Sequence, residues 1–253
     1  MYRRIVLSRF RGQLAYPGSF ALDLLAQFLA QGIELVGLLV VFAHVGTLGG
    51  FTIDEVLLMY GIAATAFGLA DLVAGQIEEL PDLIRTGELD VLLLRPLGTL
   101  AQVLTADIAL RRIGRVAMGL AVYAWALAAL DPAWTMPLVL VAVILAAIFV
   151  GANSVSFWLV DGHEFANSFT YGSNFATAYP VTVFGPALRR VLCFVVPSAF
   201  VAYFPALALL GRPDPLGLPE VLRWCGPVVA VTAAGVAAAV WRYGVRRYQG
   251  TGS

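Results

Sequence analysis

Glu34 sits inside an otherwise apolar run, with Gln27 and Gln31 before it. Their i, i+4, i+7 spacing sets three polar groups on one helix face. A charged residue within a membrane span costs about 2.5–3.5 kcal/mol or more, so it should face a bundle interior or a cavity. Two readings stay open: a polar stripe lining a substrate path or subunit seam, and a structural hydrogen bond between helices. Asp161, His163 and Glu164 form a second cluster, D-G-H-E, and His44 is the other histidine. Metal or acid–base chemistry needs convergent ligands or a poised proton. Near-adjacent spacings in a polar loop suit contact with a partner better. Cys193 and Cys225 have no partner at metal-ligand spacing and read as small buried residues, with a disulfide between them left open. Asp23 and Asp71 fall near span ends, where pairing with Arg suffices.

Several chemistries are excluded. All sixteen basic residues are Arg, so a P-loop ending in G-K-[ST] is impossible. No G-x-S-x-G is present either. The chain is expected to be no enzyme and to bind no cofactor or metal. Its net charge is zero, so no global field attracts nucleic acid.

Gln76–Leu97, QIEELPDLIRTGELDVLLLRPL, is the longest part of the first half that cannot lie in hydrocarbon. It carries Glu78, Glu79, Asp82, Arg85, Glu88, Asp90 and Arg95. Leu80, Leu83, Ile84, Leu89 and Val91–Leu94 give it more apolar surface than a solvated loop exposes without a use. Gly87 permits a break between a helix over 78–86 and a second piece over 88–95, and Pro96 bars helical continuation. A short, bent element with acidic ends suits a groove on a soluble partner. The acids disfavour simple rest on the negative inner leaflet.

The elements that position these groups follow from composition. The chain of 253 residues is 60% hydrophobic and 13% charged, with mean hydropathy +0.85; soluble domains carry about 25% charge. The expected fold is therefore an all-α integral membrane protein. Residues 1–19 read as an amphipathic interfacial helix whose Arg reach headgroups. Six spans are expected at 20–43, 55–75, 113–130, 138–160, 169–188 and 227–243, each near the ~20 residues that cross a core about 30 Å thick. Residues 191–210, divided by Pro197 and Pro205, read as short re-entrant helices on the outer side, covered by protein. Twelve of the sixteen Arg fall on the N-terminal side of this scheme. Both termini are then cytoplasmic, and the span number is even.

The run T-G-E-L-D-V-L-L-L-R-P-L at 86–97 resembles the loop between the second and third spans of type-2 ATP-binding cassette permeases. It is most similar to a bacterial six-span branch with a G-x-L-D-x-x-L-L-R-P signature. Tyr179-Pro180, Phe194–Pro197 and Tyr203–Ala206 resemble that branch as well. The resemblance implies a permease of the bacterial inner membrane, mostly exporting, paired with a second identical or homologous permease. Two cytoplasmic ATPase subunits would bind below, carrying the ATP and Mg. Gly87, Glu88, Leu89 and Asp90 would form the coupling helix in the ATPase groove, supported by Leu83, Ile84, Arg95 and Pro96. Asp161, His163 and Glu164 would make a second, smaller contact. The two bundles would rock between inward-open and outward-open states, an equilibrium biased by ATP.

Three rivals remain. An ATP-independent secondary transporter would rely on Glu34, an intramembrane enzyme on His163 and its neighbours, and a structural anchor on neither.

Overall fold

A computed structural model describes residues 17–106, 112–136, 138–159 and 162–249. The expected interfacial helix, apart from its last residues, lies outside the described residues, as do Arg111 and Asp161. Helix α1 covers Pro17–Phe42 and α2 covers Ile53–Ala74. A 3-10 turn, Gly75–Glu79, leads into α3 (Leu80–Arg85), α4 (Glu88–Leu93) and α5 (Thr99–Leu104). Next come α6 (Ile113–Leu130), α7 (Leu138–Asn153) with a 3-10 turn at Ser154–Phe157, and α8 (Gly162–Thr177). Short pieces follow: α9 (Pro186–Arg190), a π turn (Val191–Val195), a 3-10 turn (Ser198–Phe200) and α10 (Tyr203–Leu209). Helix α11 (Gly226–Arg247) closes the described chain.

Among the described residues, five helices are long and apolar enough to cross a membrane, or six if Pro186–Val195 and Ser198–Leu209, bent by 71°, count as one span. Helix α2 is apolar on every side, and such a helix must be enclosed. It packs against α6, α7 and α8, while α11 packs on the far side of α7. Aromatic pairs sit at both ends of the bundle. Trp134 stacks on Trp224 at 5.4 Å, and Trp158 on Tyr243 at 5.8 Å. Amphipathic rings of this kind settle at membrane–water boundaries.

The α2–α6 seam is nearly backbone on backbone. A Cβ added at Gly61 would come within 2.6 Å of the Tyr123 nitrogen, and one at Gly119 within 2.5 Å of the Thr65 nitrogen. Van der Waals packing drives helices together in lipid, so small residues gather where backbones approach.

The region expected to hold a fifth span at 169–188 differs from that reading. The helix starts at Gly162, takes in the expected polar break, and ends at Thr177. Pro180 and Pro186 lack an N–H and bias the residues before them away from helix, so the chain restarts at Pro186. Helix α8 also inverts the usual pattern. Gly162, Ala166, Thr170, Ser173 and Ala176 are buried, whereas Phe165, Tyr171 and Phe175 are exposed. Thr170 donates to the Ala166 carbonyl at 3.1 Å and Thr177 to the Asn174 carbonyl at 2.8 Å, both within the helix.

The bundle has an arginine-rich end, with Arg112, Arg115, Arg242 and Arg246, and a proline-rich end. At the latter, Gly49 (φ +58°) and Gly50 (φ +90°) make the two-residue turn that pairs Leu48 with Phe51. Two consecutive positive φ values are what such a turn requires. Arg212 reaches both Glu55 oxygens at 2.8 Å, donates to the Gly50 carbonyl at 2.7 Å, and lies 4.6 Å over the Phe51 ring. This one guanidinium ties the loop after α10 to the start of α2.

Candidate functional site

Residues 75–98 leave the arginine-rich end of α2 as a bent bracket. Gly87 sits at φ +74° between α3 and α4, a conformation that disfavours any side chain with a Cβ. The inner side of the bracket is locked into the bundle, since Ile77, Leu80 and Leu89 are fully enclosed. Leu83, Ile84 and Leu92 are half-buried against the same core. Gln102 on α5 donates to the Leu92 and Leu97 carbonyls, both at 3.0 Å, and so pins the far arm. Glu88, Val91, Leu93, Leu94, Arg95 and Pro96 are exposed, with Leu94 at 86%. Asp90 is half-buried. Burial and then the charge of Asp90 push the Tyr248 hydroxyl, just beyond α11, above its usual range. The bracket thus touches both the centre of the bundle and its last helix.

Leu89, an expected contact residue, instead faces inward and is fully enclosed. The outward apolar surface comes from Val91 on α4 and from Leu94, which caps it three residues later. The i, i+3 spacing in V-L-L-L could have marked them. His163 and Glu164 are exposed in the first turn of α8. His163 lies within electrostatic reach of Glu78 in the bracket, so these segments share one end of the molecule. No cluster of three His, Cys, Asp or Glu side chains fit to hold a metal occurs among the described residues. Cys193 and Cys225 are free thiols.

Directly above the bracket is a buried ionic group. Asp71 Oδ1 stands 3.2 Å from Arg112 Nε, and Oδ2 stands 3.7 Å from Arg115 Nη1. Arg112 Nη1 also donates to the Asp71 carbonyl at 2.9 Å. The Arg115 guanidinium lies 4.7 Å over Phe67, whose ring meets Tyr171 at 5.7 Å. Tyr171 Oη is 3.4 Å from Glu78 Oε2. The group joins α2, α6 and α8. Gly75 leaves room for it, because a Cβ there would stand 2.6 Å from Arg112 Nη1.

The intramembrane polar stripe resolves into unequal parts. Gln31 is buried, and its Nε2 donates to Glu34 Oε2 and to Tyr60 Oη, each at 2.7 Å. Tyr60 donates to the Gln31 carbonyl at 2.9 Å. Glu34 itself is exposed. Gln27 is half-buried with its Cβ end against Gly114 of α6 and stands apart from this group. Tyr60 was not foreseen, because nothing in sequence relates it to a residue 29 positions earlier.

A family described as "ABC-2 family transporter protein" matches residues 28–252. Neither curated proteins nor solved structures gave a match.

Proposed function

The chain belongs to the ABC-2 family of transporters, and on that premise we propose that it is the membrane-spanning permease subunit of an ATP-driven exporter. It is a multi-pass membrane protein and supplies the transmembrane component, with ATP and Mg bound by separate ATPase subunits. Two such ATPases sit below two paired permeases, the second copy identical or homologous. Both termini lie on the cytoplasmic face of a bacterial inner membrane, and the arginine-rich end is that face.

The observation that carries this reading is the two-sided bracket. Its enclosed side (Ile77, Leu80, Leu89) is part of the bundle core, and its free side (Glu88, Val91, Leu94, Arg95) faces outward. A push on the free side therefore moves α2, on which α6, α7 and α8 are packed. His163 and Glu164 add a second contact beside it, together with Asp161, two residues before His163. ATP binding closes the ATPases, the brackets follow, and the path between the bundles opens outward. Substrate passes the face that carries Gln27, Gln31 and Glu34. The bent pair around Pro197 closes the outer end as re-entrant helices, covered by the loop that Arg212 holds.

Purification of the tagged chain in mild detergent tests the reading. Co-elution of a soluble ATPase at equal stoichiometry supports it; a chain that emerges alone from several detergents refutes it and favours a proton-driven transporter built on Glu34. Gly87→Pro, which forbids the positive φ, and Glu88→Arg, which inverts the charge of the free side, should leave membrane insertion intact. Both should abolish the coupling of ATP hydrolysis to transport, and normal ATP-driven transport in either would overturn the bracket assignment.

A further inference from the structure

The hydrogen-bond inventory around Glu34 points to the charge of its ligand. A Gln amide has two N–H donors, and both of Gln31's are spent, on Glu34 and on Tyr60. Tyr60 has one O–H donor, spent on the Gln31 carbonyl. What Gln31 and Tyr60 leave unfilled beside the carboxylate is acceptor capacity, chiefly Glu34 Oε1. Among the described residues no Arg or His forms an ion pair with Glu34. Arg115, which acts on Tyr60 at longer range, is engaged by Asp71 at 3.7 Å and by the Phe67 ring. Tyr179 lies within electrostatic reach of the carboxylate.

The position is deep. Glu34 lies eight residues before the end of α1 at Phe42, about 12 Å along the helix. Its neighbours on the open face are apolar: Ile33 is 73% exposed and Val36 58%. A fixed carboxylate whose two bonded partners have no donor to spare, set in a hydrocarbon wall, attracts a cation and repels an anion.

We propose that Glu34, held by Gln31 and Tyr60, is a binding site for an organic cation with an apolar body, an ammonium or other onium group on a hydrophobic frame. The inference rests on reading this face as the substrate path. It names the class of compound that path accepts. Gln31 and Tyr60 are positioning residues: they fix the carboxylate rotamer, and their own donors are spent in doing so. Such a cation is either a soluble amphiphile or the headgroup of a membrane lipid, and the chemistry at Glu34 is the same for both.

Tetraphenylphosphonium is a suitable probe. Its equilibrium binding to the purified full chain in dodecylmaltoside requires no ATPase, so the result stands apart from the co-purification test. Saturable binding is expected, with affinity falling about tenfold or more in Glu34→Gln, the loss of one charge-assisted contact. Asp23→Asn, a carboxylate lost elsewhere on α1, should bind as wild type. Tetraphenylborate has the same shape and opposite charge and should not compete. Equal binding by Glu34→Gln, or competition by tetraphenylborate, would overturn the proposal. If Glu34→Gln fails to elute as wild type on gel filtration, Glu34→Asp takes its place, with affinity expected to fall several-fold; unchanged affinity would refute the site. Displacement by added phosphatidylethanolamine would identify the natural cation as a lipid headgroup, and its failure would identify a soluble amphiphile; both results keep the cation assignment.

Discussion

The α2–α6 seam makes a prediction about sign. Glycine within a helix is worth about 0.5–1 kcal/mol less than alanine when nothing else intervenes. Gly172 on α8 and Gly235 on α11 are such positions, with no atom within 4 Å of an added Cβ. Gly172→Ala and Gly235→Ala should therefore stabilise the chain. Gly119→Ala should do the opposite. Its Cβ would stand 2.5 Å from the Thr65 nitrogen and 2.7 Å from Thr65 Oγ1, where ordinary contact begins at 3.4 Å. Thr65 cannot turn away without losing its 2.8 Å bond to the Gly61 carbonyl. The two helices must separate by about 0.9 Å, and overpacking of that kind costs about 1–3 kcal/mol. Less the propensity gain, the net loss is about 0.5–2 kcal/mol. At about 2–4 °C per kcal/mol for a chain of this size, Gly119→Ala should lower the melting temperature by about 1–8 °C, and the two controls should raise it by about 1–4 °C. The assay is gel filtration of detergent-solubilised protein after heating, in which the surviving peak is followed. Gly61→Ala, aimed at the Tyr123 backbone at 2.6 Å, repeats the test from the other helix. If Gly119→Ala and Gly61→Ala rise with the controls, the seam is looser than its glycines require and the reasoning fails.

Two further outcomes are expected. Arg112→Gln should destabilise the chain more than Asp71→Asn combined with Arg112→Gln, because the single change leaves a buried carboxylate with one guanidinium fewer; a double-mutant cycle additive within about 0.5 kcal/mol would refute that pairing. Tyr248 has its pKa raised by burial and by Asp90, so the fold prefers its protonated form. Its stabilising contribution is complete below about pH 10 and is lost as pH rises through the raised value. Tyr248→Phe should flatten the decline of thermal stability above about pH 10, and an unchanged profile would count against the coupling to Asp90.

The helical, multi-span character of the chain was legible because long apolar runs in a sequence with only 13% charged residues leave too little polar surface to cover a soluble fold. The break at Gly87 was legible too, since a glycine between two short apolar pieces and a following proline has few other uses. The placement of α8 was not. Its buried face is made of Thr, Ser, Ala and Gly, and its exposed face carries aromatics, so a search for polar residues outside and apolar residues inside reads it backwards. Leu89 misleads in a similar way. An apolar residue in a surface loop suggests outward contact, yet only the fold reveals that Leu89 turns in and Val91 and Leu94 turn out. The i, i+4, i+7 stripe on α1 marked Gln31 and Glu34 but not Tyr60, whose part depends on how α2 passes α1. Asp71 read correctly as a carboxylate with Arg available, whereas the choice of Arg112 and Arg115 required the pairing of α2 with α6.

Helix α1 is the first of these spans to be synthesised and the least covered, with only 11% of its apolar window enclosed. Its packing partner α6 meets it where Gly114 approaches the Leu24 carbonyl, some ninety residues later in the chain. At about 5–20 residues per second, α1 waits roughly 5–18 s in the bilayer for that contact. Tyr60 arrives much sooner, 29 residues after Gln31, in roughly 1.5–6 s at the same rate. The polar groups most costly to leave in lipid therefore find their partner while the chain is still being threaded, as soon as α2 follows α1 into the membrane. The order of synthesis fastens the polar pair first and leaves the apolar faces, which lipid solvates well, to pack afterwards.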